Sequence, residues 1–116
     1  MTPSKLNGTA YDHAKSLIEE GRFVADSDDW GEVQPSAAQE NAFIEDHGFA
    51  GFAQWCLGVR EDEPEDTKER YSYPYGDFEK VHRSGLVAVE SRAGQYKHHD
   101  IERAARHLRE LIDERS

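Results

Sequence analysis

Apolar residues recur at helical spacing in five segments of this chain. The last is the clearest. Ile101, Ala104, Ala105, Leu108, Leu111 and Ile112 form one stripe, and Asp100 stands where a helix over 100–114 needs its cap. Tyr11, Ala14, Leu17 and Ile18 predict a first helix over 10–20, with a Thr9-x-x-Asp12 capping box and Gly21 as its stop. Ser36 and Gln39 open a second helix that reaches His47, with Gly48 behind it. Phe49, Phe52, Ala53 and Cys56 share a stripe that predicts a short third helix over 49–57, closed by Gly58. Phe78, Val81, His82, Gly85, Leu86, Val89 and Ala93 line one face of a fourth, with Asp77 as cap and Gly94 as stop.

Two segments carry strand character instead. Arg22-Phe23-Val24 is a short extended piece, and aromatic residues alternate at Tyr71, Tyr73 and Tyr75. Pro74 limits the second to an edge position. The expected fold is a mainly α domain of about five helices with one short pair of strands, 22–24 and 71–73. Residues 1–8 read as a polar tail, and 9–116 as a single compact domain with an acidic loop at 60–69. At 116 residues one domain is the natural division.

Composition makes that core thin. Ile, Leu, Val and Phe total 21 residues, and twelve of the apolar positions are alanine. The formal net charge is −10. Low hydrophobicity with high charge borders on disorder, but the helical spacing and the 12 aromatic residues argue for a folded core built on rings. The 24 acids against five lysines suit a surface adapted to high salt. An acidic mimic of nucleic acid is the alternative. Acids concentrate in 19–46 and 60–69, whereas 79–109 carries seven bases against four acids. The simplest consequence is that the two parts face each other, with Arg83 pairing to an acid of the front half. Cys56 is alone, which excludes an intramolecular disulfide. The N-terminus lacks an apolar signal core and no run approaches a membrane span, so a cytoplasmic protein is expected.

The pattern Thr67-Lys68-x-Arg70-Tyr71-x-x-Pro74-Tyr75-Gly76-Asp77-Phe78, followed by Val81-His82-Arg83-x-Gly85, resembles the hallmark of a widespread family of small prokaryotic proteins, itself uncharacterised. Asp28-Asp29-Trp30, Gln34-Pro35-Ser36, Glu40-Asn41 and Trp55-x-Leu57-Gly58 extend the resemblance over most of the chain. More loosely, 68–108 is similar to a module of phage head-morphogenesis and prohead-protease polyproteins. It shares Tyr71-x-x-Pro74, Arg83, Ala88, Arg92-Ala93 and a final helix. The resemblance implies no catalytic residues and no cofactor.

The candidate chemistry is sparse. His98, His99 and His107 invite a metal reading, but His99 and His107 sit eight residues apart, about 12 Å along a helix, too far for one ion. No metal site is expected. Cys56 falls on an apolar stripe and reads as a buried hydrophobe rather than a nucleophile. Lys68, Arg70, Tyr71, Tyr75, His82 and Arg83 are the candidate ligand-binding set. Trp30, Phe49, Phe52 and Trp55 are candidate interface anchors. These features favour a non-enzymatic protein-interaction or accessory module. The alternatives are a small ligand-binding protein or enzyme with a pocket between Tyr71–Asp77 and His82-Arg83, and a nucleic-acid accessory using the basic 79–109 face.

Overall fold

The computed structural model describes residues 4–25 and 29–115. The first three positions of the expected tail, and Asp28 of the Asp-Asp-Trp motif, lie outside them. The elements are β1 (Lys5–Leu6), α1 (Gly8–Glu19), β2 (Phe23–Val24), α2 (Trp30–Val33), α3 (Ala37–Ala53), β3 (Cys56–Val59), β4 (Tyr71–Pro74), β5 (Val81–His82), α4 (Arg83–Gln95) and α5 (His99–Arg115). A single 3₁₀ turn, Lys68–Arg70, leads into β4. The domain is mainly helical, as the spacing predicts. Ser36 and Gln39 form the expected reciprocal cap of α3. Gly48, at φ 75° and ψ 174°, breaks α3 into two straight pieces where a stop was expected.

Helices α4 and α5 form the centre. Three residues, 96–98, join them, so they pack as neighbours in a hairpin. The cross-links give the direction. Arg83 meets Asp113 at 2.7 Å and Glu90 meets Arg109 at 2.9 Å, the partners converging toward the turn as in an antiparallel pair. Leu86, Val89 and Ala93 bury themselves against the expected stripe of Ile101, Ala105, Leu108 and Ile112. Ala10, Ala14, Leu17 and Ile18 of α1 complete this core. Above it lies a tier of rings. Trp55 stacks on Tyr75 at 5.5 Å between centroids, and Phe78 stacks on Phe43 at 4.3 Å. Fully buried Tyr75 donates to the Gln54 carbonyl at 2.6 Å.

Several expectations are corrected. The segments 22–24 and 71–73 are both extended, but they do not pair with each other. Phe23 and Val24 run parallel to Val81 and His82. Tyr71–Pro74 pairs antiparallel with Cys56–Val59, whose other edge takes Lys5 and Leu6. Lys5 and Leu6 of the expected tail are therefore a strand, and the third helix ends at Ala53 rather than 57. Cys56, Leu57 and Gly58 are buried in the central strand of three. A strand covered on both faces is apolar at every position, so its pattern cannot be told from a short helix. Asp77 does not cap α4, which starts at Arg83. It closes the turn before β5, accepting from the amides of Glu79 at 3.0 Å and Lys80 at 2.7 Å. Asp100 lies inside α5 and accepts from the Leu6 amide at 2.8 Å, which pins β1 to the helix. Thr9 is likewise inside α1, whose entry is held by Asn7. The Asn7 side-chain amide donates to the carbonyls of Ala53 at 2.9 Å and Cys56 at 3.2 Å.

Candidate functional site

The six candidate binding residues do not converge. Lys68 pairs with Glu40 at 3.0 Å, and Arg70 donates to the Glu63 carbonyl at 2.8 Å. Tyr71 donates to the Glu65 carbonyl at 3.0 Å. These three fasten the acidic loop. Tyr75 belongs to the core. His82 Nε2 lies 2.8 Å from Asp77 Oδ2. Burial raises the Asp77 carboxyl, but the bonds from His82, Lys80 and Glu79 outweigh it and hold the group below its ordinary range. Arg83 pairs with Asp113 of α5. Trp30, Phe52 and Trp55 are buried, and Phe49 is half-buried over Tyr71 with centroids 6.5 Å apart. Phe52 and Trp55 pack on Phe78 in the ring tier, and Trp30 also lines the groove beside α4.

Burial pushes the Cys56 thiol far above its ordinary value, so it stays protonated and unreactive. His98 contacts Tyr73, His99 contacts Glu102 and His107 contacts Tyr11. Three histidines that look neighbourly in sequence are thus drawn to three different places. On the basic 79–109 face, Arg106 and Arg109 both hold Glu90, at 3.1 and 2.9 Å. Its carboxyl, raised by burial, is lowered more by those two guanidiniums.

What the fold does assemble lies on the other side of α4. Trp30 and Gly31 of α2 with Gln34 behind it, Tyr73 and Pro74 of β4, and Arg83, Ser84, Val87, Ala88, Val89, Ser91 and Arg92 of α4 line an open groove of about 610 Å³. Trp30 reaches this place because Asp29 caps α2, accepting from the Gly31 amide at 3.0 Å. The Trp30 ring then rests 5.5 Å from that of His82. Apolar and hydrogen-bonding groups alternate along the groove. Among the described residues the large hydrophobic side chains left exposed are Val33 (36%), Val87 (40%) and Tyr96 (65%). Val87 lines the groove, Val33 is on the short helix forming its wall, and Tyr96 lies just past the end of α4.

Tyr73 and Arg92 also line a second, smaller pocket of about 390 Å³, with Ser4, Arg60, Ser72, Tyr96 and His98. Tyr73 Oη sits 2.8 Å from His98 Nδ1, and the Ser4 and Ser72 hydroxyls are 3.0 Å apart. Burial raises the Tyr73 phenol, with Arg92 and Arg60 acting against it. Sequence reasoning weighed Tyr73, Arg92 and His98 separately and passed over Ser4, Arg60 and Ser72. No local signal joins positions so far apart in the chain. Compared with protein-family models, with curated proteins and with solved structures, the chain finds no match.

Proposed function

We propose that this protein is a non-enzymatic accessory module that binds an extended segment of a partner protein in the groove beside α4. The observation that carries the reading is Val87 exposed in a groove furnished with Ser84, Gln34, Ser91 and Asp29, with Val33 exposed on the short helix that forms one wall. Apolar footholds with polar groups between them suit a peptide, which brings both side chains and backbone. From Arg83 to Arg92 the groove follows about 14 Å of helix, the reach of about four extended residues. Tyr73, Pro74 and Arg83 in its wall also support the alternative of a small ligand near the Tyr71–Asp77 turn. The nucleic-acid reading has less behind it, since Arg83, Arg106 and Arg109 already hold carboxylates. The same reading keeps the chain with the small prokaryotic family that its Lys68–Gly85 pattern resembles.

A displayed library of random peptides, selected on the full chain, tests this. Recovered peptides should lose at least about tenfold in affinity on Val87→Glu, because a charge then sits in an apolar foothold. Peptides indifferent to that change, or a selection that yields none, would contradict the reading.

A further inference from the structure

The geometry points to the smaller pocket as a binding site for a phosphate group. The case begins with donors that lack acceptors. Arg60 and Arg92 both line the pocket, and among the described residues neither guanidinium has a carboxylate within ion-pair distance. Arg83, Arg106 and Arg109 of the α4–α5 hairpin do have one. Ser4 and Ser72 face each other across 3.0 Å, and one hydrogen bond between them uses only one of the two hydroxyl hydrogens. Ser4 is 6% exposed, so its hydroxyl is held in place. The Tyr73 hydroxyl and His98 imidazole, 2.8 Å apart, complete the lining. Among the described residues no carboxylate lines the pocket, although 24 of the 116 residues are acidic. Such a concentration of hydrogen-bond donors calls for a ligand made of acceptors. A phosphate offers more of them than a carboxylate, and guanidinium suits it geometrically.

The backbone supports a built site. Tyr73 holds φ at 61°, a conformation that residues with side chains rarely adopt and that concentrates at functional positions. Gly58 on the adjacent strand makes room for it. A Cβ there would strike Ser72 Oγ and come within 2.8 Å of Tyr73 Cδ2. Both pocket residues are thus seated against a glycine that pairs directly with Ser72. The volume of about 390 Å³ exceeds one phosphate and is in the range of small-molecule sites. The flat, exposed ring of Tyr96 stands at the rim. The recognised chemistry is the phosphate oxyanion, supplied either as free phosphate or as a small phosphomonoester. This inference does not depend on a peptide in the α4 groove: the two share Tyr73 and Arg92, but Ser4, Arg60 and Ser72 line only the smaller pocket.

The test is nuclear magnetic resonance of the full chain at about 0.15 M salt, where charges beyond about 8 Å are screened. Inorganic phosphate should give saturable shifts at Ser4, Arg60, Ser72, Tyr73 and Arg92. Arg92→Gln, at an exposed position that should leave the thermal midpoint in place, should weaken binding about tenfold or more. Arg103→Gln, an exposed arginine outside the pocket, should not. Arg60→Gln should match Arg92→Gln if it folds, and the Arg92 variant decides alone if it does not. Glycerol 3-phosphate competing at or below the phosphate concentration identifies a phosphomonoester ligand. Its exclusion while phosphate still binds identifies free phosphate. Shifts that never saturate with either probe, or that weaken equally in the Arg103 variant, overturn the site.

Discussion

The two faces of α4 belong to one helix and are built on opposite rules. On its core side it presents Leu86, Val89 and Ala93, all buried, with Glu90 at the margin tied to two arginines. Toward the groove it presents Val87 exposed and Arg92 without a carboxylate partner among the described residues. On the first face the partly buried Glu90 is compensated, as burial demands. On the second an apolar side chain and a guanidinium are both left to solvent. Stability needs only the first arrangement. The second is the kind of surface that a partner or ligand completes.

The largest effect expected from this contrast is at Leu108, fully buried against α4. Leu108→Ala should cost about 2–5 kcal/mol, a large part of what a domain this size has. Its neighbour Arg109 pairs with Glu90 while still partly exposed, and its alanine variant should cost no more than about 1 kcal/mol. Urea denaturation of both variants decides the point, and equal losses would mean α5 is not seated as described. A middle effect is expected at Gly58. Alanine there must displace Ser72 and Tyr73, at about 1–3 kcal/mol, and should also disturb the phosphate pocket.

The smallest effect concerns the margin between the faces. The Glu90 carboxyl is held below its ordinary 4.5 in the fold, so below that pH the unfolded chain binds more protons. Its contribution is complete above about pH 4.5 and is lost as pH falls through the folded value. Glu90→Gln should remove no more than about 1 kcal/mol at neutral pH. It should also flatten the acid limb of the stability profile, measured by denaturation between neutral pH and pH 3. An unchanged acid limb would show that the Arg106–Glu90–Arg109 cluster contributes nothing.

The helices were legible because their periodicity is local. The stripe from Ile101 to Ile112, the cap at Ser36 and the break at Gly48 each need only a few neighbouring residues. The strands were less so. Lys5–Leu6 and Val81–His82 are two residues long and show no period, and their partners are chosen by the fold. Phe49, Phe52, Ala53 and Cys56 have helical spacing, yet the chain leaves the helix after Ala53 because β1 and β4 claim the next residues from both sides. Asp77 was legible as a cap, but of a turn rather than a helix. The groove and the pocket were almost illegible. Ser4, Arg60, Ser72 and Arg92 meet only after β1, β3 and β4 pair and α4 lies beside them. The visible aromatic cluster, in turn, suggested a surface where the thin aliphatic core needed filling.

Charge placed on each face of α4 tests the division of labour most directly. Val89→Glu and Val87→Glu add the same group two residues apart on one helix, and chemical denaturation compares them. Val89 is buried in the core cluster beneath the groove, and Val87 is 40% exposed in the groove. The Val89 variant should be severely destabilised or fail to fold, because a buried unpaired carboxylate has no compensation. The Val87 variant should stay within about 0.5 kcal/mol of the parent. A Val87 variant that loses as much stability as the Val89 variant would show that the groove face is packed structure, and the binding surface proposed on it would not exist.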